Sequence, residues 1–104
     1  MDYTTLSQRL NARTGLTFNS LGQYVPFHQL GRTRSFKLKV AYSDLKVLQQ
    51  ASKDLMFEMD TVTQQMNDDK LHAAMYKLKL HYLKEEFKII YYTVKQYTKI
   101  INLI

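Results

Sequence analysis

All three glycines (Gly15, Gly22, Gly31) and the single proline, Pro26, lie in the first 31 of 104 residues, and the 73 that follow contain neither. A multi-stranded sheet needs repeated tight turns, and tight turns draw on Gly and Pro. A breaker-free stretch of this length favours long helices. The chain is 45% hydrophobic, too apolar for a disordered tail, and long enough for one domain with a modest core. The expected fold is mainly α: an antiparallel hairpin of two long helices over 43–104, preceded by a basic arm over 1–42, in one domain overall.

Much chemistry is excluded at once. There is no cysteine, so disulfides, thiolate nucleophiles and cysteine-ligated zinc or iron–sulfur centres are ruled out. No HExxH, P-loop or GxGxxG motif is present. Asp68, Asp69 and His72 cluster near a helix start, and His81 precedes Glu85 by four residues. Such pairs read as caps or surface ion pairs rather than as acid/base or metal sites. No catalytic residue, metal or cofactor is expected. The uncharged apolar-rich runs near the end, Ile89–Val94 and Ile100–Ile104, fall far short of the roughly 20 residues that span a bilayer. A non-transmembrane, intracellular protein is expected.

The net charge of +6 is segregated. Residues 1–42 carry +5, residues 43–69 carry −4, and residues 70–104 carry +5 again. A basic balance points towards a polyanion, either nucleic acid or an anionic membrane surface.

In the arm, Thr4 or Thr5 can cap a short helix bearing Leu6 and Leu10, with Gly15 beyond its end. Leu16 to Leu30 sit among breakers without a sustained period and read as loop or a short hairpin packed on the helices. From Arg32 to Val40 the residues alternate, with Phe36, Leu38 and Val40 on one face and Ser35, Lys37 and Lys39 on the other. That period of two reads as a strand, with a lead-in to the next helix as the alternative. The arginine-rich beginning also has a transit-peptide flavour, which Asp2 and the Pro/Gly interruptions oppose.

The first long helix is expected to start at Ser43, with Asp44 in its first turn where an acid suits the dipole. Leu45, Leu48, Ser52, Leu55, Met59, Val62 and Met66 then keep a 3-4 spacing over about 23 residues, roughly 34 Å. Asn67-Asp68-Asp69 reads as a turn that also caps the next helix. The methionines near it (Met56, Met59, Met66, Met75) read as core filler.

The last helix has two apolar lines. Ala73, Tyr76, Leu80, Leu83, Phe87, Ile90, Val94, Tyr97, Ile101 and Ile104 occupy every a and d position of a heptad. Leu71, Met75, Leu78, Tyr82, Ile89, Tyr92 and Leu103 fall at c and f, a line interrupted by Glu85, Gln96 and Lys99. The first line suits the preceding helix. The second needs another cover, in part the arm, and more simply a second copy of the chain across a two-fold axis. Leu71, Met75, Leu78, Tyr82, Ile89 and Tyr92 are therefore the expected homodimer interface.

Between the two lines, at b and e, run Lys77, His81, Lys84, Lys88, Tyr91 and Lys95, with Lys70 before them and Lys99 beside. No acid interrupts this row, whereas mixed signs are usual on an inert face. From Lys77 to Lys99 it spans about 33 Å, close to the roughly 34 Å turn of B-form duplex. With Arg32, Arg34, Lys37 and Lys39 from the arm, a dimer would make roughly six to ten phosphate contacts, and its affinity would fall roughly 10³- to 10⁵-fold from 50 to 200 mM salt. Lysine is a flexible point charge, and without arginines on this helix the expected readout is of duplex shape and phosphate rather than sequence. A solvated face whose lysine stems cover apolar surface is the plain alternative.

In architecture this pattern is similar to the RNA-silencing suppressors of nodaviruses, which are basic helical dimers of about this length. The likeness is one of architecture and is carried by no motif. It implies a viral accessory protein of the silencing-suppressor type, with the duplex either RNA or DNA. The hairpin length is also similar to the secreted helical-hairpin dimers of the WxG family, but the chain has no Trp and hence no WxG turn. Two other functions compete: an interaction protein docking a different protein on its second apolar line, and a membrane-surface protein. Two opposed apolar lines fit the latter poorly, because an interfacial helix wants one apolar side.

Overall fold

The computed structural model describes residues 3–18 and 34–103. These form α1 (Tyr3–Thr14), α2 (Arg34–Asp68) and α3 (Ala73–Leu103), with a 3₁₀ turn, Lys70–His72, between the long helices. No strand occurs among the described residues. The long helices pack against each other and give the molecule its 56 × 23 × 18 Å extents. At one end only Asp69 and the 3₁₀ turn join α2 to α3. Towards the other end the Tyr97 hydroxyl donates a buried 2.8 Å hydrogen bond to Asp44, so α3 returns along α2. This arrangement agrees with the expected helical hairpin.

Several local expectations are corrected. Arg34 to Val40 are helical, not a strand. Three alternating apolar residues are too few to outweigh a continuous helix that contains no Gly or Pro after them. Residues 42 and 43, where the expected arm meets the expected hairpin within one domain, both lie in α2. Asp44 is not in a first turn either; it lies well inside α2 and is buried. Neither Thr4 nor Thr5 caps α1, because the helix already begins at Tyr3. Asp69 makes no side-chain cap bond. The stretch 19–31 and the side chains of Arg32, Arg34, Lys37 and Lys39 lie outside the described residues, as do those of Leu103 and Ile104.

The a/d line of α3 does face the core. Leu83, Ile90 and Tyr97 are buried, with Tyr76, Leu80, Phe87, Val94 and Ile101 packed around them. From α2, Leu48, Leu55 and Val62 meet that line. On the same helix Ala41, Asp44, Leu48, Ala51 and Leu55 form a second buried line at 3-4 spacing. The buried face of α2 is thus wider than the expected seam, and α2 contacts two neighbours. Met59 and Met66 are half-buried, whereas Met56 and Met75 are exposed, so only part of the methionine cluster fills the core.

The second neighbour is α1, which contributes Leu6 and Leu10 to the core. Its end is closed by Gly15, whose φ of +70° is cheap only for glycine. The Gly15 amide donates to the Asn11 carbonyl at 2.9 Å, the single bond of a left-handed cap. The Asn11 side chain then accepts from the Phe18 amide at 2.7 Å, fixing the backbone just where Phe18 enters the core.

Leu55 is fully buried and Phe57 is 73% exposed. Leu55→Ala is expected to cost about 2–5 kcal/mol. Phe57→Ser is expected to change stability by no more than about 0.5 kcal/mol. Urea unfolding midpoints of the two variants measure the contrast.

Candidate nucleic-acid interface

The row expected at b and e is presented to solvent. Lys77, His81, Lys84, Lys88, Lys95 and Lys99 on α3, and Lys70 just before it, are exposed, and Tyr91 is 48% exposed. Among the described residues, no lysine of α3 lies within 4.0 Å of a carboxylate. Lys95 instead holds its Nζ 4.9 Å from the centre of the Tyr91 ring, a cation–π contact one helical turn away. The acidic middle of the chain therefore does not tie up this row by ion pairing. Lys46 and Lys53, which the sequence reading left out, are exposed on α2. Lys53 shares a groove with Tyr91, and this places a further cation beside the row.

The arginines follow the opposite pattern. Glu86, at a g position flanking the core line, is only 1% exposed. Arg9 reaches it at 3.0 Å and Arg13 at 3.4 Å, both from α1. Arg13 also grips Glu58 of α2 through two bonds of 2.9 and 3.1 Å. Four side chains thus tie all three helices together. Arg9 and Arg13 contribute to the formal +5 of the arm, but Glu58 and Glu86 neutralise them. Sequence reasoning missed this clamp. Its one signal was an acid at g, beside an otherwise apolar line.

The c/f line has an uneven fate. Arg9 sits 5.6 Å above the ring of Tyr82, which is half-buried, and Ile89 packs against the core. Leu71 (88% exposed), Met75, Leu78 and Tyr92 remain in solvent. A helix of 12 residues, about 18 Å long, covers only the middle of a line that runs the length of α3. The positions expected as one dimer interface are therefore split between an intramolecular contact and two bare ends. Arg34, Lys37 and Lys39 belong by backbone to the first turns of α2.

Near the connection, the Asp69 carboxylate pairs with His72 at 2.8 Å and accepts from the Tyr76 hydroxyl at 3.2 Å. His72 is the main reason its carboxyl lies below the usual range. The Tyr76 phenol is raised, by burial first and then by the Asp69 charge. This is a surface contact within that cluster. No group of three His, Cys, Asp or Glu residues suited to a metal occurs among the described residues.

The chain matches no protein-family model, and neither the curated proteins nor the solved structures compared with it show a similar one.

The clamp yields two expectations. Removing one charge from a buried pair costs about 3–5 kcal/mol when both partners are buried, and Glu86→Gln should approach the lower end because Arg9 is partly exposed. Glu58 is 45% exposed, so Glu58→Gln should cost no more than about 1 kcal/mol. The hydrogen bonds from Arg13 are the largest influence holding the Glu58 carboxyl below its ordinary range. A depressed carboxyl adds stability above the unfolded value of about 4.3 and loses that contribution as pH falls through the folded value. Stability should therefore decline below about pH 4.3, with Asp69 adding to the loss below about pH 3.9. Arg13→Gln should lower the whole curve and flatten part of that decline. Denaturant midpoints between pH 3 and 7 measure both effects.

Proposed function

We propose that the chain is a homodimeric protein that binds duplex nucleic acid by shape and phosphate charge, without reading sequence. The observation that carries this reading is the α3 row: Lys77, His81, Lys84, Lys88, Tyr91 and Lys95 lie exposed at b and e positions that hold no acid, with Lys99 exposed beside them. Internal neutralisation is spent on arginine, which leaves these ammonium groups for an outside anion. Phosphates spaced along a duplex match such a row, and each contact releases condensed counterions. No arginine on α3 offers a planar fork for a base edge, so discrimination between sequences is not supported.

The bare ends of the second apolar line, Leu71, Met75, Leu78 and Tyr92, support pairing with a second copy, which brings a second lysine row into the same particle. Such a protein acts inside a cell, where duplex nucleic acid is met, and the reading agrees with a viral accessory role of the silencing-suppressor type. No helix among the described residues is long and apolar enough to cross a membrane. A second reading rests on Leu71, the most exposed of the described large apolar side chains at 88%: the stripe it forms with Met75 and Leu78 docks a different protein.

Gel shifts with short RNA and DNA duplexes at about 50 and about 200 mM salt test the binding. Lys84→Ala combined with Lys88→Ala should weaken binding on every sequence and reduce the salt slope by roughly one per lysine, with helicity unchanged. Affinity retained in that variant would move the site to Arg32, Arg34, Lys37 and Lys39. Absence of binding at the lower salt sinks the proposal. For the assembly, light scattering at micromolar concentration should give twice the chain mass, and Leu71→Glu with Leu78→Glu should halve it. A monomer mass for the unaltered chain counts against pairing.

A further inference from the structure

The lysine row does not stand on a projecting helix. Beside it, between α2 and α3, runs a groove of about 410 Å³ lined by Gln49, Ser52 and Lys53 from α2 and by Tyr91 and Val94 from α3. No carboxylate lines it. Lys95 is not part of that lining; its Nζ lies 4.9 Å from the centre of the ring of Tyr91, which is.

The chemistry of the lining is mixed in an informative way. Lys53 is a point charge that suits a phosphate and is indifferent to the sugar attached to it. Gln49, Ser52 and Tyr91 each both donate and accept, and all three are neutral. A phosphate oxygen only accepts, so it uses half of what these groups offer. A hydroxyl both donates and accepts, and it would use all of it.

Shape narrows the ligand further. To reach Ser52 and Val94 a surface must lie across both helices, and the molecule measures 23 and 18 Å in its two short dimensions. The grooves of B-form DNA are about 12 and about 6 Å wide, and the wider one admits a single helix. The minor groove of an A-form helix is wide and shallow, and it displays the 2′-hydroxyls.

We infer that the groove seats one ribose–phosphate unit of an RNA duplex, with Lys53 on the phosphate and Gln49 and Ser52 on the ribose 2′-hydroxyl. This rests on the duplex-binding reading above and adds to it the substrate class, double-stranded RNA, and a set of residues on α2.

The test compares one sequence in three duplexes: RNA, DNA, and RNA carrying 2′-fluoro in place of 2′-hydroxyl, which keeps the A-form shape without the donor. RNA should bind roughly tenfold more tightly than either of the others, the scale of two neutral hydrogen bonds. Gln49→Ala with Ser52→Ala should remove the preference for RNA over its 2′-fluoro counterpart, with the salt slope unchanged. Lys53→Ala should weaken all three duplexes alike. Equal affinity of the unaltered protein for RNA and DNA overturns the inference and leaves the broader reading standing, as does a Gln49/Ser52 variant that keeps its full preference for RNA. Failure of every duplex to bind removes both.

Discussion

The arrangement of the three helices depends on one buried carboxylate. Glu86 lies almost out of reach of solvent, and an isolated charge there would be severely penalised. Two guanidinium groups from α1 make its burial tolerable, and one of them also grips Glu58 on α2. The short helix is therefore held by polar bonds that match only one placement, and its apolar residues, Leu6 and Leu10, are delivered to the core by the same contact. Hydrophobic packing between α2 and α3 sets their association. The clamp sets where α1 sits upon them.

That placement decides what is left outside. With α1 over Tyr82 and beside Ile89, the middle of α3's second apolar line is closed, and only its ends at Leu71–Leu78 and Tyr92 remain bare. On the opposite flank, Gln49, Ser52 and Lys53 of α2 stand across a groove from Tyr91. The molecule thus has two unlike flanks, one apolar and interrupted, the other basic and grooved. Each suits a different kind of contact.

The long-range outline was legible in the sequence because helical periodicity is a local property. Ten consecutive a/d positions specified the buried side of α3, and the missing breakers specified its length. The start of α2 was not legible, because Phe36, Leu38 and Val40 alternate over too short a span to separate a strand from a helix. The second buried line of α2 was hidden because Ala41, Asp44 and Ala51 are small or polar, and their burial comes from neighbours rather than from their own apolarity. The clamp was hidden for a different reason. Arg13 and Glu86 are 73 residues apart, and only the docking of α1 makes them partners. For the surface row the sequence supplied the line on α3 but not Lys53, Gln49 or Ser52, whose relevance exists only once α2 lies alongside.

Arginine and lysine are divided between two jobs in this protein. The described arginine side chains, Arg9 and Arg13, sit in the clamp, and the lysines of α3 face water. The two side chains differ in their covalent chemistry as well as in shape: an ε-amine can be acylated, and a guanidinium is not a target of the same reagents. Acetylation could therefore erase the outer row one charge at a time while the bonds that hold α1 in place stay intact. The charge of that outer row and the bonds that hold α1 thus reside in side chains of different reactivity.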